Sequence, residues 1–197
     1  PRGIDHIFTF FAMATRRTAS QDISAVHPAS YLRIQFRETG SADLSEHKYW
    51  DLDFPDHGQE YNPRSAEALA DEFQEVFFRA VELRLRADVP VVGYLSGGVD
   101  STSVMAAAKA IRGESLPAFT IRIDTPRLDE TDRALLAAQT IGAKPTVITC
   151  GSDAIAQAYP KLIAAAEAPV MDTSCAALYC LAAEVRRQGF KAVVTGE

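Results

Sequence analysis

Apolar and polar positions along the chain follow two different rhythms, and the change falls at Asn62. In the first stretch Ile4, Ile7, Phe8 and Phe11 recur at i, i+3, i+4 and i+7, the apolar stripe of a helix. Residues 31–36 then alternate, with Leu32, Ile34 and Phe36 on one face and Arg33 and Gln35 on the other, the pattern of a half-buried strand. Glu38-Thr39-Gly40-Ser41 supplies turn residues, and a second short strand is predicted over residues 47–50. Phe54-Pro55-Asp56-His57-Gly58 reads as a linker.

Beyond the change, Asn62-Pro63 offers an N-cap followed by proline at the first helical position. Leu69, Phe73, Val76, Phe77 and Ala80 then form a helical stripe. Residues 90–95 are a continuous apolar strand, residues 100–112 a helix ended by Gly113, and residues 118–123 another strand. Asp129 is placed to cap a helix that Gly142 closes, residues 146–150 give a third strand, and the helical region after it breaks near Pro160. Asp172 can cap the helix running toward Gln188, and residues 191–195 form a fourth strand. Strands that alternate with helices and are apolar on both faces imply an α/β fold: a parallel sheet covered by helices, with right-handed crossovers. The segment before it reads as a small α+β piece.

Composition changes this picture little. A chain of 197 residues, 47% hydrophobic and 23% charged, can hold one sizeable core, or one core and part of another. A formal net charge of -6 argues against broad capture of nucleic acid through its phosphates. No apolar run reaches the length of a bilayer span and no charged-then-apolar leader opens the chain, so a cytoplasmic protein without membrane partners is expected. Cys150, Cys175 and Cys180 make neither an even disulfide framework nor a zinc pattern and read as free thiols. His6, His27, His47 and His57 have no metal-ligand spacing and read as solvated or packed. The start at Pro1 and the stop at Glu197, directly after Ala192-Val193-Val194, suggest a piece of something longer.

The chemistry concentrates where Val91-Val92-Gly93-Tyr94-Leu95 runs into Ser96-Gly97-Gly98-Val99-Asp100-Ser101 and then a helix. At the carboxyl end of a strand in an open α/β sheet, glycines let backbone N–H groups approach a phosphate, and the helix start aims more of them the same way. Ser96 and Ser101 add hydroxyls. Asp100 would repel phosphate in a pure anion hole, and makes sense as a ligand of Mg2+ bridging to the phosphates. Neither G-x-x-x-x-G-K-[ST] nor G-x-G-x-x-G is present. Taken without its flanks, Gly97-Gly98 would fit a plain strand-to-helix turn; the hexamer in this setting favours a phosphate site. Asp129-Glu130 fits a helix start, where a carboxylate suits the macrodipole. Glu167 and Asp172 fit a site and a solvated surface equally well. The stripe Phe73, Phe77, Phe78 reads as core, and of Lys109, Arg112, Arg122 and Arg127 only Arg122 is placed at a strand end.

The hexamer resembles the loop of the ATP pyrophosphatases, a group that includes asparagine, GMP, NAD and argininosuccinate synthetases. Within that group the chain is similar to the asparagine synthetases. The points of likeness are Phe119-Thr120-Ile121 one strand on, then Asp129-Glu130, then Glu167-Ala168-Pro169 and Asp172 where that family has Asp-Glu-Pro and a later Asp. Thr195-Gly196-Glu197 matches the start of a further family motif, and Tyr49-Trp50-Asp51-Leu52 the junction after a glutaminase domain. The resemblance implies an adenine nucleotide alpha-hydrolase-like fold, with residues 1–57 as the tail of a glutaminase-like domain and residues 58–197 as the first part of a synthetase domain. It implies ATP and Mg2+, with Leu95, Ser96, Gly97, Gly98, Asp100, Ser101, Ile121 and Gly196 at the nucleotide, Asp100 on the metal, and Glu197 acting near the adenylate and the incoming amine.

The reaction it implies is adenylation of the side-chain carboxylate of aspartate, or of another carboxylic acid, with release of pyrophosphate. Ammonia from glutamine then displaces AMP. The family's enzymes are often dimers, so a homodimer is the implied assembly. Two departures stand out: Glu167-Ala168-Pro169 lacks the family's first two residues at that place, and no cysteine precedes Cys150 to serve as a glutaminase nucleophile. The alternatives are an internal amide cyclase of the β-lactam synthetase or lasso-peptide cyclase type, and an ATP-binding module without chemistry. The stretch from Pro1 to Glu197 taken alone is expected to be inactive.

Overall fold

The computed structural model describes residues 2–13, 16–59, 63–125 and 129–196. The chain forms two compact units, Pro1–Pro63 with Glu167–Met171, and Arg64–Ala166 with Asp172–Glu197. No helix of the described residues is long and apolar enough to cross a membrane.

The first unit holds helix α1 (Arg2–Phe10) and an antiparallel hairpin of β1 (Ser30–Phe36) and β2 (Ala42–Lys48). β2 begins five residues before the predicted strand at His47, because the turn closes early. The Arg37 N–H donates to Ser41 O at 2.8 Å and the Gly40 N–H to Arg37 O at 3.0 Å, so pairing starts at Phe36 opposite Ala42. Tyr49 and Trp50 therefore lie beyond the strand. The half-buried face expected of residues 31–36 is largely open: Ile34 is 51% and Phe36 83% exposed, and Leu44 opposite Ile34 is 62% exposed. Among the described residues this two-stranded ribbon has no second layer to cover it. The α1 stripe is also shorter than its spacing suggests. Ile7 is buried, whereas Phe11 leaves the helix at a φ of 56° and is exposed.

The second unit runs α2 (Ala66–Arg84), β3 (Val91–Tyr94), α3 (Val99–Arg112), β4 (Ala118–Ile123), α4 (Thr131–Ile141), β5 (Pro145–Cys150), α5 (Ser152–Ala166), α6 (Thr173–Arg187) and β6 (Ala192–Val194). Its four strands are parallel, in the order β5-β4-β3-β6. Both faces are covered, as the continuous apolar strands require. On one face Val91 and Ala118 join Val81 of α2 and its C-cap Leu85, Met105 and Ala108 of α3, and Ala134 and Ala138 of α4 in one buried cluster. On the other, Val92 and Phe119 meet Leu181 and Val185 of α6. Neighbouring residues of one strand point to opposite faces, which is why Val91 and Val92 belong to different clusters.

Three local expectations are corrected. α2 starts at Ala66, capped by Ser65, whose hydroxyl accepts the Ala68 N–H at 3.2 Å; Asn62 lies outside the described residues. Its buried side runs through Val81 and Leu85 with Phe77 and Phe78 partly covered, so Phe73 and Val76, at 69% and 62% exposed, are not core. α5 does not break at Pro160. One missing N–H is tolerated there because α5 packs along α6 and buries Ala158. Asp172 does cap α6, its carboxylate accepting the Ser174 N–H at 2.8 Å, and that hydrogen bond holds its pKa below the usual range.

The strand order also positions a crevice. From the central β3 the chain passes through α3 to β4 on one side, while β6 pairs on the other side. The carboxyl ends of β3 and β6 thus form the topological switch point where open α/β sheets bind ligands.

Candidate functional site

Sequence and sheet put the hexamer at that crevice. Leu95 donates its N–H to Phe119 O at 2.9 Å, extending the ladder one residue past β3 before the turn. Two serines then knit the turn together. Ser96 N–H donates to Ser101 Oγ at 3.2 Å, the two hydroxyls lie 2.9 Å apart, and Gly98 N–H donates to Ser96 Oγ at 3.3 Å. Gly97 takes the left-handed conformation at a φ of 79°, which favours glycine over any residue with a side chain. Space forbids a substituent as well: a Cβ there would lie 2.4 Å from the carbonyl carbon of Arg133 and 2.5 Å from the Ala134 nitrogen, because the first turn of α4 lies against it.

Gly98 is the N-cap of α3 and has no side chain to satisfy the first-turn amides. Thr102 N–H to Gly98 O, at 3.1 Å, is the first helical bond, so the amides of Val99, Asp100 and Ser101 precede it. Such amides and the positive end of the helix dipole attract an anion. From the other arm of the crevice Gly196 comes in so close that a Cβ on it would stand 2.2 Å from Ser101 N. The two arms make a tight backbone cradle that only glycines permit.

A cavity of about 610 Å³ opens on this cradle. Ser96, Gly98, Asp100, Ser101 and Gly196 form its polar end, and Leu95, Phe119 and Ile121 contribute an apolar wall. A second wall comes from α6 through Cys175, Leu178, Tyr179 and Ala182. Burial pushes the pKa of the Tyr94 phenol, also at the cavity, above its ordinary value, so it stays neutral.

The expected nucleotide positions Leu95, Ser96, Gly98, Asp100, Ser101, Ile121 and Gly196 thus border one cavity, while Gly97 faces α4. Glu197 and Arg127 lie outside the described residues. Glu167 belongs to the first unit, and Asp172 serves the α6 cap. Lys109 and Arg112 are engaged elsewhere, donating to Ile141 O at 2.7 Å and Leu85 O at 2.5 Å. Arg122 helps to hold the Asp129 carboxyl below its usual range, after the Thr131 hydroxyl and amide and the Ile123 amide. The α6 wall was not anticipated. Its signal was present, since residues 175, 178, 179 and 182 stand at i, i+3, i+4 and i+7, but that spacing is equally the mark of a core-facing stripe.

Residues 72–197, well over half of the chain, match the family described as asparagine synthase. The chain belongs to the asparagine synthase family. The protein named amidase chyE of Penicillium rubens is 31% identical over 92% of this chain and 28% of its own length. A putative glutamine-hydrolysing asparagine synthetase of Mycobacterium bovis is 35% identical over 66% of this chain and 20% of its own length. This asparagine synthase family chain therefore spans less than a third of the length of such relatives. Among solved structures, an NH3-dependent NAD synthetase from Campylobacter jejuni aligns at 18% identity and a TM-score of 0.39, covering 60% of this chain and 48% of that one.

Proposed function

We propose that the protein to which this chain belongs is an ATP-dependent amide-forming ligase, and that the cradle between Ser96 and Ser101 receives the pyrophosphate part of ATP. The observation that carries the reading is the backbone cradle at the switch point. Uncapped amides of α3 and the paired hydroxyls of Ser96 and Ser101 border the cavity, and the close backbone approaches at Gly97 and Gly196 exclude side chains at those two positions. Family membership supports the same chemistry.

A free carboxylate is a poor acyl donor, because oxide is a poor leaving group. In the proposed first step an oxygen of the acceptor carboxylate attacks the α-phosphorus of ATP, the α–β bridging P–O bond breaks, and pyrophosphate leaves. The fixed amides and hydroxyls stabilise the charge that builds on the departing oxygens without having to reorganise. Asp100 would hold Mg2+, which is commonly bound through one or two carboxylates together with the phosphates and neutralises their charge. In the second step the lone pair of ammonia attacks the acyl carbon, the bond to AMP breaks, and the amine loses a proton. Glu197 is proposed to act beside that centre. The apolar wall of Phe119 and Ile121 suits a base and its sugar.

We take aspartate as the acceptor, ammonia from glutamine as the amine source, residues 1–57 as the tail of a glutaminase-like domain, and a cytoplasmic homodimer as the setting. A second reading keeps the adenylation and changes the acceptor acid. It is favoured by the relative named amidase, which aligns over 92% of this chain.

The test is Asp100→Asn in the full-length protein, with pyrophosphate release followed against candidate acids. Mg2+-dependent release is expected to be lost with the fold retained by circular dichroism. Unchanged release would reduce Asp100 to a helix-start residue, and amide formation from an acid other than aspartate would select the second reading.

A further inference from the structure

A polar brace, Asp129 with the buried Thr131, stands beside the cradle, and neither residue lines the cavity. Thr131, the first residue of α4, is a polar residue with 0% exposure. Its hydroxyl donates to Asp129 Oδ1, and its own N–H donates to the same oxygen at 3.1 Å. On the other side the Asp129 N–H donates to Thr125 O at 3.0 Å, two residues past the end of β4. Asp129 thus links Thr125, just past β4, through its N–H, and the first residue of α4 through its carboxylate.

What that joint holds in place is the turn of α4 that presses on the hexamer. Two residues after Thr131, the backbone of Arg133 and Ala134 lies where a Cβ on Gly97 would be, within 2.4 Å and 2.5 Å. Ala134 is itself 0% exposed and sits in the buried cluster with Leu95 and Met105. Its N–H donates to Glu130 O at 3.0 Å, so it belongs to the same first turn. Gly97 has a wide choice of backbone conformations when nothing bears on it. Its left-handed φ, and with it the path of the chain into the open amides of Val99, Asp100 and Ser101, depends on α4 keeping its place.

We propose that Asp129 and Thr131 are positioning residues for the cradle: their hydrogen-bonded turn seats the first turn of α4 against Gly97 and so aims the amides that receive pyrophosphate. The proposal rests on the ATP reading for its ligand and on geometry alone for its brace. Isosteric removal of the hydroxyl takes away one of the two hydrogen bonds by which Thr131 fixes the Asp129 turn, and lost precision of about half an ångström in a preorganised anion site is enough to weaken it.

The experiment uses the full-length protein and two probes, inorganic pyrophosphate with Mg2+ and adenosine. In Thr131→Val the affinity for pyrophosphate is expected to fall about tenfold, with adenosine binding unchanged. Thr131→Ser should restore it. Amide exchange at Gly97 and Gly98 should rise at least about fivefold in the valine variant and return in the serine one. Equal losses for both probes, or unchanged pyrophosphate binding and unchanged exchange in a folded Thr131→Val protein, would overturn the brace. Asp129→Asn carries the same comparison if the valine variant does not fold. A wild-type protein that binds neither probe would defeat the ATP reading instead, while amide exchange at Gly97 and Gly98 still decides the brace.

Discussion

Single residues in this chain are exacting where backbone meets backbone and permissive where side chains meet. Gly97 and Gly196 have no spare volume, since a Cβ at either would enter the backbone of α4 or α3. Cys150 shows a different constraint. It is 1% exposed at the end of β5, and burial, with Cys180 beside it, pushes its thiol pKa up to about 11. The unfolded thiol titrates near ~8.5. The folded value is the higher one, so the stability linked to the neutral thiol is fully present below about pH 8.5 and is lost as pH rises through about 11. Because the thiolate is the reactive form, alkylation at pH 8 is expected to modify half-buried Cys175 well ahead of Cys150, which should react once urea unfolds the chain. Peptide mass mapping reads the order, and equal rates in the folded protein would contradict it. The hexamer was legible in sequence because its chemistry is local, six consecutive residues between a strand and a helix. The brace was not. Asp129 reads as a cap, and nothing in Thr131 announces that its hydroxyl is enclosed.

Elements were legible where ends are marked by chemistry and less so where tertiary packing decides. Gly113 and Gly142 end α3 and α4 in the left-handed conformation, at the residues their sequence suggests. Pro160 was read as a break, yet α5 passes through it. Proline has no N–H to donate to the carbonyl of Ala156, and its ring crowds that carbonyl, at a cost of about 3 kcal/mol in an ordinary helix interior. The helix survives because its contact with α6 supplies what the local preference withholds. Replacing Pro160 by alanine is therefore expected to stabilise the protein, by about 1–3 kcal/mol in urea unfolding. A lower midpoint in the alanine variant would mean that the helix needs the proline bend to meet α6.

At the scale of the whole chain, the two units differ in how much of their apolar surface they cover. The second unit buries both faces of its sheet, with Val91 and Ala118 under α2, α3 and α4 and with Val92 and Phe119 under α6. The alternation of apolar strands and helices foretold this, since a parallel sheet apolar on both faces has to be covered twice. The hairpin of the first unit obeys the same alternation rule but has no partner layer among the described residues, so Ile34, Phe36 and Leu44 are open although their pattern promised a half-buried face. Periodicity reports which residues share a face; it cannot report whether another layer lies on it. Isolated two-stranded hairpins are marginal in water, whereas core strands open only with the global unfolding of their unit. Amide hydrogen exchange of this 197-residue chain should therefore separate the units. Slow exchange near the global limit is expected for Val92, Gly93 and Phe119, and fast exchange, orders of magnitude quicker, for Leu32, Ile34 and Leu44. Equal protection across the hairpin and the parallel sheet would show that the open face is covered in solution, and that the chain folds as one cooperative body.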